Sequence, residues 1–272
     1  MHDYSITFAC YNSIEYTKKF VSSLVESNTP LDRIVAVDNG SSDGTLEFLR
    51  TSKFGAVIAN KTNLGCGVAW NQGALEHQAE WTIVMNNDVL VSRDWADRLI
   101  TMAEDLDVSA ISPAMIEGAL DYDFRSFCET NQGRMHGVSR IGAKHAVCLA
   151  VKNSVWQDLG YFVAKPSLLG YEDTIFFNEL ERGGYRTAVT GAVWVHHFGS
   201  VTQDQLKKER GLASTDALGP RNNYKNLGLN WLERKLRRYS LSKMASSWRK
   251  AELDEFGMTL HGLRQNNEFI WK

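Results

Sequence analysis

Ile34-Val35-Ala36-Val37-Asp38-Asn39-Gly40-Ser41-Ser42-Asp43-Gly44 is the stretch that decides the fold. Four apolar residues make a buried strand. They run into a cluster of turn formers and helix caps. The same unit recurs on both sides. Ile6-Thr7-Phe8-Ala9-Cys10 precedes an amphipathic segment with Phe20, Leu24 and Val25 on one face. Ala56-Val57-Ile58-Ala59 precedes a helix predicted over 65–77, and Trp81-Thr82-Ile83-Val84-Met85 precedes one over 94–106. Strands alternating with helices predict an α/β fold, a mainly parallel sheet flanked by helices. Ligands of such sheets usually sit in the loops at the carboxyl ends of the strands.

Beyond this region the pattern weakens. Residues 113–146 carry many polar groups, including Asp121, Asp123, Arg125, Arg134 and Arg140, but little periodicity. A functional segment and a solvated loop explain this equally well. Regularity returns in a strand over 146–151, a helix over 174–182 and strand material over 187–197. Composition shifts near Ser214–Pro220, which divides the chain into 1–215 and a C-terminal extension, 216–272. Residues 221–250 hold nine Lys/Arg against the single acid Glu233, a charge of +8 in a chain of net charge −2. Leu229, Leu232, Leu236 and Tyr239 fall at helical spacing, so the segment reads as a basic amphipathic helix. Packing on its own domain is the preferred reading, and contact with a membrane surface is the other.

Bulk properties narrow the function classes. With 43% hydrophobic and 23% charged residues, the chain is an ordinary globular protein. Its net charge argues against general nucleic-acid binding. Cys10, Cys66, Cys128 and Cys148 form no CxxC pair and no zinc spacing, so buried free thiols are expected. No signal-peptide pattern and no bilayer-length apolar run is visible. The expectation is a cytoplasmic protein whose membrane contact, if any, is peripheral.

Three separated stretches carry the chemistry. Asp88 ends Met85-Asn86-Asn87-Asp88, where a carboxylate can hold Mg²⁺ or Mn²⁺ or simply make a turn. Glu172 and Asp173 precede a helix, as caps or as a base. His196 and His197 end an apolar run, and strand alternation lets only one of them reach a site. Asp38 and Asn39 offer groups that could read a base or ribose. Asn63-Leu64-Gly65-Cys66-Gly67 brings bare backbone to a helix start suited to anions. A dinucleotide fingerprint would need glycine where Trp70 stands, and no Walker lysine or GxSxG elbow is present.

In order, these segments resemble family 2 glycosyltransferases of the GT-A fold over roughly residues 4–202. The residues that carry the likeness are Ala9–Asn12, Val37–Thr45, Asn63–Gly65 with Asn71–Gly73, Asn86–Asp88, Gly170–Asp173 and His196. The resemblance implies a nucleotide-sugar-binding half, 1–112, and an acceptor-binding and catalytic half, 113–215. It implies donor contacts from Cys10, Tyr11, Asn12, Asp38, Asn39, Asn63, Gly65, Asn71 and Asn87. Asp88 and His196 would hold a divalent cation, Mn or Mg, with His197 the alternative if the register slips by one. Asp173 would be the base of a single inverting displacement, with Glu172 in support. Arg125, Tyr171 and Glu172 would meet the acceptor. Asn86 stands where the family's metal motif begins with an acid, and Ile175 where many relatives carry another acid.

The expected function is thus inverting hexosyl or deoxyhexosyl transfer from a nucleoside-diphosphate sugar to a saccharide or lipid-linked glycan, in surface polysaccharide biosynthesis. An oligomer is compatible with this reading. A nucleotidyltransferase is the first competitor, but Tyr11-Asn12-Ser13-Ile14-Glu15 lacks a basic glycine-rich phosphate loop. A non-catalytic nucleotide-sugar-binding module is the second, and the joint presence of Asp88, Asp173 and His196 counts against it.

Overall fold

The computed structural model describes residues 2–164, 171–199, 201–209, 211, 213 and 227–272. The predicted boundary at 215/216, the basic residues Arg221 and Lys225, and Gly170 lie outside them. In chain order the elements are β1 (Tyr4–Cys10), α1 (Ile14–Glu26), β2 (Ile34–Asp38), α2 (Thr45–Thr51), β3 (Ala56–Ala59), α3 (Cys66–Glu76), β4 (Trp81–Asn86), β5 (Val89–Val91), α4 (Trp95–Asp105) and β6 (Ala110–Gly118). There follow α5 (Phe124–Met135), β7 (Ser139–Ile141), β8 (Cys148–Lys152), α6 (Asn153–Leu159), α7 (Glu172–Arg182), β9 (Thr187–His197), α8 (Val201–Glu209), α9 (Trp231–Phe256), β10 (His261–Gln265) and β11 (Glu268–Trp271).

The sheet runs β11-β10-β6-β8-β4-β1-β2-β3, with β9 pairing β5, β6 and β7 off this path. Strands β4, β1, β2 and β3 are mutually parallel, as predicted, and β8 runs antiparallel between β4 and β6. The register pairs Cys10 with Asp38 and Ala9 with Asn86. Three strand ends therefore stop level, and their loops share one edge. Helix α3 lies against β1 because Gly73 has no side chain: a Cβ there would sit 1.8 Å from Thr7 Oγ1. Beneath the other helices, Phe8 packs edge-on against Phe20 and Phe54 in a core that also buries Trp81 and Trp95.

Residues 113–146 are structured, not a loop. They complete β6 and supply α5 and β7. Their pattern was faint for local reasons. Pro113 sits inside β6, where its missing N–H falls at a register shift between Pro113 and Ala114. Helix α5 starts at Asp123, whose carboxylate caps Ser126 N–H at 3.0 Å, but its sequence is too polar to show a stripe.

The His145 Nε2 sits 2.8 Å from the Pro113 carbonyl, and Nδ1 is buried without a partner. Burial holds this ring down at about 4. The unfolded chain then binds the proton first, so the neutral ring's contribution is complete above the ordinary histidine value and is lost as pH falls toward 4. The loss is at most about 3 kcal/mol. Between pH 6.5 and 4, Tm of His145→Asn should therefore fall less than that of the parent. Superimposable acid slopes would remove His145 from the account.

The C-terminal part departs from expectation in two ways. Residues 261–271 form a hairpin that extends the main sheet alongside β6. Helix α9, opened by an Asn230/Glu233 capping box, does not pack through its predicted stripe. Trp231, Leu232, Leu236 and Tyr239 are 65%, 55%, 59% and 69% exposed. Charged contacts hold the helix instead. Arg237 pairs with Glu181 at 2.8 Å, and Glu252 accepts two hydrogen bonds from Arg140 at 2.7 and 2.8 Å. The preferred sequence reading holds for the face that carries Arg237 and Glu252 and fails for the leucine stripe.

Candidate active site

The level ends of β1 and β2 gather a set of polar groups. Asp38 Oδ2 accepts from the N–H groups of Gly40 and Ser41 at 3.1 and 3.0 Å. Its Oδ1 is buried and has no hydrogen-bond partner among the described residues. Asn39 donates to the Gly65 carbonyl at 3.2 Å and accepts from Asn60 at 2.9 Å. Asn12, with φ of 44°, donates its N–H to Ser41 Oγ and accepts from Ser42 N–H at 2.8 Å. Over this loop lies Glu209 of α8, whose carboxylate accepts from Tyr11 Oη at 2.7 Å and Asn12 Nδ2 at 3.0 Å.

Strand β5, which directly follows Asp88, runs antiparallel to the end of β9. Their ladder pairs Val89 with His197, and Phe198 N–H donates to the Asp88 carbonyl at 3.0 Å. His197 Nε2 is thereby 3.4 Å from Asp88 Oδ1, with Asn86 Nδ2 also at 3.4 Å. On the ring's other side, Glu117 Oε1 is 3.7 Å from Nδ1. Burial disfavours a charged ring here, but the Asp88 and Glu117 carboxylates outweigh it and carry His197 up to about 9.

It is His197, the alternative to His196, that lies beside Asp88. Alternation sends the His196 ring to the opposite face, where it packs against Tyr122, Phe124 and Phe198. Its Nδ1 is 3.0 Å from Tyr122 Oη, and burial lowers it to about 4.

The third stretch opens α7. Glu172 is 6% exposed, and its Oε2 accepts from Tyr171 N–H at 2.9 Å. Its stem lies on the start of α3. A Cβ on Gly67 would come within 2.9 Å of Glu172 Cγ, and one on Gly65 within 3.4 Å of Oε1. Gly67 is bare because the Glu172 stem approaches it, and Gly65 holds a φ of +91°, reasons invisible in the sequence. Asp173 Oδ1 accepts from Thr174 N–H at 2.6 Å and from its hydroxyl at 3.3 Å. Burial raises Asp173 above the usual carboxylate value despite these bonds.

Cys66, the first residue of α3, joins the stretches. Burial pushes its thiol well up, and the carboxylates of Glu172, Asp173 and Asp88 push it further.

Other expected residues are placed differently. Cys10 is 1% exposed and Asn87 2%. The Cys10 thiol takes the Thr17 hydroxyl, and the Asn87 amide is spent on Ser13 and Thr17 at 2.8 Å each. Asn71 clamps the backbone of Phe162 with both amide atoms. All three, expected as donor contacts, make these hydrogen bonds within the protein. Asn63 forms a turn by accepting from Gly65 N–H. Arg125 pairs with Glu129 beside a cavity of about 750 Å³ between α1 and α5, whose lining includes none of Asp88, Glu172, Asp173 and His197. Tyr171, expected to meet the acceptor, is the α7 N-cap. Glu117 and Glu209 were missed. Glu117 had a signal, a lone acid ending an apolar run as Asp88 does; Glu209 had none.

The model of glycosyl transferase family 2 matches residues 5–147, more than half of the chain. The chain belongs to glycosyl transferase family 2. Among proteins of curated function, no sequence matches it. Solved structures share the GT-A fold at low identity. TarS 1–349 of S. aureus in complex with UDP has TM-score 0.56 at 17% identity, covering 71% of this chain and 60% of that one. GalNAc-T7 with UDP, GalNAc and Mn²⁺ has TM-score 0.56 at 16% identity, covering 72% and 44%. The mannosyltransferase PcManGT of Pyrobaculum calidifontis, in complex with GDP-Man and Mn²⁺, has TM-score 0.56 at 17%, covering 93% and 76%. The chain thus spans less than two thirds of TarS 1–349 and under half of GalNAc-T7.

The donor set suits a hard cation in part. Asp88 and His197 offer one oxygen and one nitrogen ligand side by side. No group of three or more His, Cys, Asp or Glu suited to a metal stands among the described residues. Such a pair fits a family 2 site whose ion completes its coordination with substrate phosphates and water.

Proposed function

We propose that this chain is an inverting, divalent-cation-dependent glycosyltransferase. It moves a hexosyl or deoxyhexosyl unit from a nucleoside-diphosphate sugar to a hydroxyl of a saccharide or lipid-linked glycan, in surface polysaccharide assembly. The observation that carries this is the placement of Asp88 beside His197, with Glu172 lying on Gly65 and Gly67 at the start of α3 and Asp173 next to it in sequence.

The residues divide the work. Asp38 Oδ1 receives a donor group of the base or ribose, and Asn12 orders the loop above it. Asp88 and His197 would hold the cation. When bound, it supplies positive charge where the diphosphate leaves. Asp173 takes the proton from the attacking hydroxyl, its raised value bringing it nearer the proton it must accept. Glu172 fixes the α7 start against Gly65 and Gly67 and so sets where Asp173 stands. Residues 1–112 serve the donor and 113–215 the acceptor.

The test is a thermal-shift panel of UDP, GDP and dTDP with their sugars, with and without Mn²⁺, followed by NMR of the product's anomeric centre. One nucleotide should raise Tm in an Mn²⁺-dependent way. Transfer should invert the anomeric configuration. Retention, or stabilisation by no nucleotide, would overturn the proposal.

A lipid-linked acceptor also gives α9 a role at a membrane surface. Its exposed Trp231, Leu232, Leu236 and Tyr239 stand among Arg234, Lys235, Arg238 and Lys243. Aromatic and leucine side chains beside lysine and arginine suit an anionic interface. No helix among the described residues is long and apolar enough to cross a membrane. Sedimentation with phosphatidylglycerol vesicles, lost in Leu232→Glu/Leu236→Glu and absent with phosphatidylcholine, is the expected result. Equal sedimentation of parent and variant would exclude this face.

A further inference from the structure

We propose that Glu117 is a positioning residue for the His197 imidazole, and that the β10–β11 hairpin holds Glu117 to that task. The inference rests on His197 being a cation ligand and adds what orients it.

Glu117 lies near the end of β6 and is the register partner of His197 on β9. The imidazole stands between two carboxylates. Nε2 faces Asp88 at 3.4 Å, and Nδ1 faces Glu117 at 3.7 Å. Nδ1 is buried and otherwise without a hydrogen-bond partner, so a small closure of this gap satisfies both groups. A carboxylate behind a ligating histidine selects its tautomer and fixes the ring plane, leaving the far nitrogen to coordinate.

The other Glu117 oxygen shows what keeps the carboxylate there. Oε2 is 2.8 Å from His261 Nε2 and accepts from Lys272 Nζ at 2.9 Å. His261 opens β10, and Lys272 directly follows β11. Lys272 N–H donates to the His261 carbonyl at 2.8 Å, which closes the hairpin mouth over Glu117. The hairpin is itself anchored: Leu260 N–H donates to Glu252 Oε2 at 2.8 Å, and Glu252 is held by Arg140. A chain of contacts therefore runs from α9 through the hairpin to the ring that faces Asp88. Every hairpin residue in it lies outside residues 5–147, the part matched by the family model.

The test is Mn²⁺ titrated into the full chain, with the free ion read by electron paramagnetic resonance. Glu117→Gln should bind Mn²⁺ roughly 10- to 100-fold more weakly than the parent, with Glu117→Asp recovering part of the loss. His261→Gln/Lys272→Met should weaken binding severalfold with Glu117 intact. Asp121→Ala cuts a different hairpin tie, to Arg264, and should bind as the parent does. Parent-like affinity in folded Glu117→Gln overturns the proposal. If that variant does not fold, parent-like affinity in His261→Gln/Lys272→Met overturns it instead. If Asp121→Ala loses as much affinity as Glu117→Gln, the hairpin acts through general docking and the specific role is excluded. A parent that binds no Mn²⁺ fails the cation reading itself, and this inference falls with it.

Discussion

Asp173→Asn should lower kcat by roughly 10³-fold, within the range for loss of a positioned general base, and leave the donor's KM nearly unchanged. The amide keeps the carboxylate's shape and can still accept from Thr174 N–H and its hydroxyl, the two bonds that now orient Asp173. It cannot take a proton. Folding should not suffer, because burial already disfavours the charged form of Asp173 and a neutral amide costs less there. The expected signature is a Tm within a few degrees of the parent, intact nucleotide binding and lost transfer. Asp173→Asn retaining a tenth or more of the parent's kcat would exclude a base role. Loss of nucleotide binding with transfer would make the residue structural.

Asp88→Ala should fail in a different way. We expect kcat/KM for the donor to fall by two to three orders of magnitude, the several kcal/mol that a bound cation supplies when charge develops on a leaving diphosphate. Nucleotide stabilisation by Mn²⁺ should vanish with it, whereas Asp173→Asn keeps that stabilisation. The substitution also takes from His197 one of the two carboxylates that hold its proton, so its value should fall from about 9. Tests at constant pH above neutrality keep that effect from masking the loss of the ligand. An Asp88→Ala variant whose nucleotide binding still responds to Mn²⁺ would place the cation elsewhere.

How much of this could be read from the chain depended on the kind of signal. The parallel half was legible because each strand there is a short apolar run closed by strong turn formers, as at Val37–Gly44. Strand β6 was not, because Pro113 breaks the pattern and a register shift absorbs it. The hairpin 261–271 was missed because it is short and at most half-buried along much of its length. At the site, Asp88, Glu172 and Asp173 could be singled out because acids at strand and helix ends stand out against apolar neighbours. The choice between His196 and His197 needed the β5–β9 register, which no local pattern encodes. Asn71, Asn87 and Cys10 were expected to meet the donor, and the structure shows their hydrogen bonds going to the protein. A polar or thiol group near a ligand loop can brace it as readily as line it, and only the partners Phe162, Ser13 and Thr17 tell the two apart.

The central claim is that the Asp88–His197 pair and the Glu172–Asp173 pair serve one reaction centre. Crystals soaked in Mn²⁺ with the nucleotide that stabilises the chain most, measured at the manganese edge, test it most directly. An anomalous peak is expected between Asp88 and His197 Nε2, with the diphosphate reaching toward the start of α3. A peak beside His196, or a nucleotide bound away from Asp38 and Asp173, would contradict it.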